Sequence, residues 1–183
     1  FLTTYDISEN GETTVTQEIT ITNKQEDVLL SVYSFSLNQI EVYDVKGSDS
    51  EGKLDVDIKR DPEDSKTTIT LKLNDSAIGK DKSSKIIISY KTRDLVNKVG
   101  KVWSLNFPKV GNLADSENYK VILKVPQSFG RQIFISPLPE ERETEGNKII
   151  YTYNKMSLQN TSIMANFGEN QILNFELRYD LIN

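Results

Sequence analysis

The stretch Thr13-Thr14-Val15-Thr16-Gln17-Glu18-Ile19-Thr20-Ile21-Thr22 decides the fold class. Val15, Ile19 and Ile21 fall on one side, Thr and Glu on the other, and Gln17 interrupts the apolar face. A period of two belongs to a strand, whose successive side chains point to opposite faces. Just upstream, Glu9-Asn10-Gly11 is turn chemistry, and Asn-Gly between two strand patterns signals a hairpin. The same period recurs outward along the chain. Leu54, Val56 and Ile58 alternate with Asp55, Asp57 and Lys59, and Ile69, Leu71 and Leu73 with Thr70 and Lys72. Val121, Leu123 and Val125 alternate less cleanly, because Ile122 faces the other way; Phe175, Leu177 and Tyr179 alternate with Glu176, Arg178 and Asp180. Repeated alternation with Thr, Ile, Val and Tyr enrichment reads as half-buried strands, each with one wet face.

Turn clusters at Gly47–Gly52, Asp61–Asp64, Gly79–Lys82 and Glu145–Asn147 separate these runs. Strands are expected near 2–8, 13–23, 28–36, 39–46, 53–60, 66–73 and 84–92, then near 101–107, 118–125, 131–136, 148–154, 161–167 and 171–181. The expected fold is all-β: two tandem antiparallel β-sandwich lobes of immunoglobulin-like architecture, residues 1–93 and 94–183. The boundary is placed at Thr92–Gly100, which breaks the strand rhythm and is expected to hold a short turn of helix over Asp94–Val99. Pro137-Leu138-Pro139 and the following Glu140-Glu141-Arg142-Glu143 read as an exposed loop, since proline is kept out of central strands.

The 183 residues contain no histidine and no cysteine. Ser-His-Asp triads, Cys-His pairs and thiolate nucleophiles are therefore excluded, and zinc sites nearly so. A net charge of −5 argues against nucleic acid, whose binders cluster Lys and Arg. No apolar run approaches the ~20 residues that span a bilayer. The chain opens at Phe1 and is read as a mature or cut fragment, so a missing targeting sequence says nothing. Zero cysteine fits a cytosolic protein and equally a bacterial exported domain.

The best carboxylate cluster is Asp44, Asp49, Glu51, Asp55 and Asp57, the weak candidates for a cation such as calcium. Their spacing does not match a calcium-binding loop, and Asp55 and Asp57 share the strand face opposite Leu54, Val56 and Ile58, which is expected to be solvent. Paired carboxylates also serve glycosidases, but no cluster of Trp marks a cleft. The single Trp103 alternates onto one face with Leu105 and Phe107, which reads as packing. Gly79-Lys80-Asp81-Lys82-Ser83 resembles a phosphate loop only faintly, with Asn74 where the first Gly belongs, and reads as a hairpin turn. Tyr5, Tyr33, Tyr43, Tyr90, Tyr119, Tyr151, Tyr153 and Tyr179 are expected mostly half-buried with wet hydroxyls. Asn74-Asp75-Ser76 and Asn160-Thr161-Ser162 match the glycosylation pattern, which has meaning only in a eukaryotic secretory context.

Several stretches together carry a family resemblance: Gly11-x-Thr13-x-Val15-x-x-x-Ile19-x-Ile21-Thr22-Asn23, Tyr33-x-Phe35-x-Leu37, Ile40-x-Val42 leading to Asp49-x-x-Gly52, and Ala165-Asn166-Phe167-Gly168 before Gln171-x-x-x-Phe175-x-Leu177-x-Tyr179-x-Leu181. They resemble the extracellular β-sandwich region ahead of transglutaminase-like, papain-fold domains in bacterial surface proteins and, more distantly, the luminal sandwiches of ribophorin I. The resemblance implies chemistry in a downstream Cys-His-Asp domain, with Tyr179–Asn183 as the junction, so no active-site residue carries over. The expected function is a non-catalytic accessory or interaction module of an exported bacterial protein, at the cell surface. It would have no cofactor, and its partners would be a neighbouring domain of its own chain and a protein or envelope polymer. The alternatives are a carboxylate-dependent carbohydrate-active enzyme and a calcium-stabilised adhesin.

Overall fold

A computed structural model describes residues 1–26, 29–108, 118–158 and 161–169, and it is nearly all β. The fifteen strands are β1 (Leu2–Ile7), β2 (Thr13–Thr22), β3 (Leu29–Asn38), β4 (Tyr43–Asp49), β5 (Gly52–Lys53), β6 (Asp55–Asp61), β7 (Lys66–Ile78), β8 (Ser83–Thr92), β9 (Val96–Val99), β10 (Val102–Phe107), β11 (Lys120–Pro126), β12 (Arg131–Ser136), β13 (Glu141–Glu145), β14 (Lys148–Asn154) and β15 (Ile163–Gly168). The strand expected at 171–181, Tyr179 and Asn160 lie outside the described residues.

The opening stretch behaves as its pattern requires. β1 and β2 form an antiparallel hairpin, with Ile7 opposite Thr13. In its turn Asn10 Oδ1 accepts from the Ser8 hydroxyl (2.6 Å) and the Glu12 N–H (3.0 Å), and Gly11 takes φ +87°. That φ is strained for any residue with a Cβ, and an added Cβ would also lie 3.1 Å from the Trp103 ring.

Eight strands make one sheet in the order β13-β14-β11-β1-β2-β8-β4-β5. Across it, Tyr90, Val15, Tyr5, Leu123 and Tyr151 stand in one row by strand register, all buried. This row meets two smaller sheets. Phe35 of the sheet β3-β7-β6 lies 6.4 Å from Tyr90. Phe107 and Phe167 of the sheet β12-β15-β10-β9 lie 4.5 Å from Tyr5 and 6.1 Å from Tyr151. Both smaller sheets therefore pack on the same face of the large one, and the buried side chains form one continuous cluster.

The smaller sheets divide between the two halves of the chain, β3, β6 and β7 before residue 93 and the other four strands after it. The large sheet joins the halves through β1 and β11, which pair in parallel, Tyr5 beside Leu123. The expectation of purely antiparallel sheets fails at this one ladder, because parallel neighbours far apart in sequence leave no turn signal to read.

Four local expectations are corrected. Asp94–Val99 holds no helix; its end is strand β9, paired with β10 across a turn where Gly100 has φ +61°. Glu141–Glu143 is not loop but the start of β13, an edge strand paired with β14, and its uniform exposure left no alternation to see. Residues 39–42 are not strand; Gln39 turns the chain at φ +58°, although Ile40 and Val42 are buried. Gly79–Lys82 is not a hairpin turn, because β7 and β8 belong to different sheets and the turn carries the chain between layers.

Candidate functional site

The acidic candidates are placed apart. Asp44 and Asp49 sit on β4 of the large sheet, and Asp55 and Asp57 are exposed on β6 of a smaller one. Asp49 caps a turn: its carboxylate accepts from the N–H of Asn74 (2.8 Å), Glu51 (3.0 Å) and Gly52 (3.2 Å). That is a structural reason for a carboxylate here, since the Glu51 and Gly52 donors of the tight turn need an acceptor and the Asn74 bond ties that turn to β7. Asp44 pairs with Lys91 at 3.2 Å. Asp55 and Asp57 lie opposite half-buried Val56, but Ile58 on that apolar face is itself exposed, because β6 is an edge. Among the described residues no three Asp or Glu side chains converge as a metal set.

The densest polar constellation is one the linear pattern does not reveal. Glu12 accepts from the Tyr43 hydroxyl at 2.7 Å and from Arg93 at 3.2 Å, with Lys91 3.7 Å away. Arg93 also lies over the Tyr43 ring, 5.9 Å from its centroid. The Tyr43 hydrogen bond, helped by Arg93 and Lys91, holds the Glu12 carboxyl below its usual range. The Glu12 carboxylate raises the Tyr43 hydroxyl in turn, and Asp44 raises Lys91. A general acid needs the opposite, a carboxyl kept protonated by burial or a like charge. This network fastens the start of β2 to β4 and the end of β8. Only the register Thr14–Lys91 and Tyr43–Lys91 brings its members together.

Surface cavities are found among the described residues, three of which bear on the chemistry. One, about 520 Å³, lies among β4, β5, β6 and β8, lined by Val45, Leu54, Val56 and Ile87 with Lys46, Lys53 and Asp55 among its polar groups. A second, about 480 Å³, includes Glu18, Lys85, Lys120 and Lys155. The third, about 250 Å³, holds Trp103, Phe129, Lys98, Lys101 and Glu169. Each contains a single carboxylate, and in two of them it is ion-paired: Glu18 with Lys85 at 3.0 Å and Glu169 with Lys101 at 3.0 Å. Glycoside hydrolysis asks for two carboxyl groups flanking one bond. Trp103 is no open stacking platform. Phe129 stacks on it at 4.0 Å, nearly parallel, and the Lys98 ammonium sits 4.7 Å from its centroid.

The tyrosines are more buried than expected. Tyr5, Tyr90, Tyr119, Tyr151 and Tyr153 are core residues, and Tyr33 and Tyr43 alone among the described ones are half-buried. For Tyr5, Tyr90 and Tyr151 a second layer packed on their face of the large sheet, invisible in sequence, explains the difference. Burial raises the hydroxyl pKa of Tyr5, Tyr90 and Tyr153, and pushes Tyr119 up to about 12. Asn74, in one glycosylation pattern, donates its side-chain amide to the Lys53 carbonyl at 3.0 Å.

A family described as the N-terminal domain of a predicted membrane protein (DUF2207) matches residues 1–179. The chain belongs to this family. No curated protein matches it. The DUF2207 match carries no transglutaminase or ribophorin relationship; the residues behind that resemblance are strand alternations and turns that any layered β fold requires. For a DUF2207 N-terminal domain the family description fits an envelope setting. No helix among the described residues is long and apolar enough to cross a membrane.

Proposed function

We propose that this chain is a non-catalytic β-sandwich module displayed on the outer side of a membrane by the protein that carries it, where it works through its surfaces as an interaction or positioning domain for neighbouring parts of that protein and for protein or polymer partners of the envelope. The observation that carries the reading is the match of 1–179 to the N-terminal domain of a predicted membrane protein. The single carboxylate in each of the cavities described above, and the Glu12 carboxylate held low, lend support on the chemical side.

These 183 residues contain no cysteine, so a thiol introduced among them is the one thiol they carry. Met156 is 89% exposed, so M156C gives this domain an accessible thiol, tested in the full-length membrane protein with any cysteine outside these residues replaced by serine and with the unmutated background as control. A membrane-impermeant maleimide is expected to label it on intact cells. Labelling only after lysis refutes the outward placement.

A further inference from the structure

A strand at a sheet edge presents unpaired N–H and C=O groups that another strand can take, and proteins usually blunt such edges. Among the described residues the edges are β13 and β5, β3 and β6, β12 and β9. Five are blunted. β13 carries Glu141, Arg142, Glu143 and Glu145. β6 carries Asp55, Asp57, Lys59, Arg60 and Asp61. β5 is two residues long, and β9 is four with Lys98 among them. β12 opens on Arg131 and is broken by a bulge between Gln132 and Phe134. β3 differs: it is ten residues, Leu29–Asn38, without one charged side chain or proline. After an irregularity at Leu30/Val32 it pairs regularly with β7 from Val32 to Asn38.

Its two faces are already matched to a further strand. On the exposed face the Ser34 and Ser36 hydroxyls lie 3.1 and 3.0 Å from those of Thr70 and Thr68, a ladder of hydroxyls that can extend sideways. On the other, Tyr33, Phe35 and Leu37 pack on the core yet stay half-buried. We propose that β3 pairs antiparallel with β3 of a second copy of this chain, about a two-fold axis at Phe35, joining two three-stranded sheets into one of six strands.

The matching of β3's own side chains about a two-fold axis favours a second copy as the occupant. A two-fold antiparallel pair is self-complementary, so each residue meets a fixed partner. Centred on Phe35, the pairs are Phe35 with Phe35, Tyr33 with Leu37, Ser34 with Ser36 and Val32 with Asn38: aromatic and aliphatic on the inner face, hydroxyls on the outer, with no like charges opposed. The same operation at β13 sets Glu143 against itself and Glu141 against Glu145. At β6 it sets Asp55 against Asp61. The chain's net charge of −5 opposes association at long range, and salt near 0.15 M screens it to about 8 Å.

The test is sedimentation equilibrium of the 183-residue chain at that salt, from micromolar to millimolar concentration, on wild type, S34K/S36K and S34K/S36E. Ser34 and Ser36 are exposed, so both variants are expected to fold, with unchanged circular dichroism as the check. The wild type is expected to approach dimer mass. S34K/S36K opposes lysine to lysine twice and weakens the dimer roughly tenfold or more. S34K/S36E opposes lysine to glutamate in the same register and regains it. A wild type monomeric throughout, a dimer indifferent to S34K/S36K, or a failure of S34K/S36E to recover would each overturn the proposal.

Discussion

Replacing Tyr153 by Phe should stabilise the protein. Tyr153 is fully buried on β14, in line across the large sheet with Val121 and Thr3, and its hydroxyl finds no partner among the described residues. In the unfolded chain that hydroxyl is hydrated, and folding strips the water without a replacement. An unsatisfied buried polar group costs roughly 1–3 kcal/mol. Phenylalanine keeps the ring and its packing and removes the penalty, so Y153F should gain about 1–2 kcal/mol. For a chain of this size that is a rise in Tm of about 2–8 °C. The neighbouring Tyr151 is the internal control: its hydroxyl donates to Gln132 Oε1 at 2.8 Å, so Y151F should lose about 1 kcal/mol. Thermal melts and denaturant midpoints at pH 7 measure both. A Y153F protein less stable than wild type by more than about 0.5 kcal/mol would refute the reasoning, since it would mean the hydroxyl is satisfied, by a buried water for example.

Further outcomes follow from the same packing. Because burial raises the hydroxyl pKa of Tyr5, Tyr90, Tyr119 and Tyr153, the unfolded chain releases these protons first, near pH 10. Stability should therefore hold below about pH 9.5 and fall as pH rises from about 10 towards 12, by up to ~1.4 kcal/mol per pH unit per tyrosine, with a shallower fall in Y153F; denaturant titrations across that range measure it. An alanine Cβ at Gly168 would lie 2.5 Å from the Lys101 carbonyl oxygen, so G168A should cost about 1–3 kcal/mol, read from its denaturant midpoint. With one core shared by both halves, Trp103 fluorescence and far-ultraviolet circular dichroism should report a single coincident denaturant transition, and two separated midpoints would contradict that coupling. Since Asp49 is occupied by three backbone N–H groups, calcium and chelator should leave the Tm unchanged, whereas D49A should lower stability by about 1 kcal/mol in the same assay.

Much of the fold was legible because one physical cause, a strand with one buried face, writes itself into neighbouring residues. Val15 and Ile19, Ile69 and Leu71, and Leu123 and Val125 are all buried where the alternation placed them. Asn10-Gly11 was legible for the same local reason. The misreadings have a common origin too. β13 is an edge exposed on both faces, so Glu141–Glu145 carry no apolar period. β9 is four residues whose strand character comes from pairing with β10. The carboxylates looked like a cluster only along the chain. Asp49 belongs to a turn, Asp44 to Lys91, and Asp55 and Asp57 to another sheet. The network around Glu12 was illegible because Glu12, Tyr43, Lys91 and Arg93 come from three strands or their ends.

By itself, the sequence determined that this is a layered β protein and that these 183 residues offer neither imidazole nor thiolate; both follow from side-chain period and side-chain inventory, which need no partner. The tertiary structure alone decided which strands are neighbours. It set β1 beside β11 in parallel, so that one sheet runs through both halves, and it buried Tyr90 against one smaller sheet and Tyr5 and Tyr151 against the other. Among the described residues it also left β3 as an uncharged edge. These facts depend on contacts between residues tens of positions apart, and an alternation of two residues says which face of a strand is wet but not which strand will cover the other.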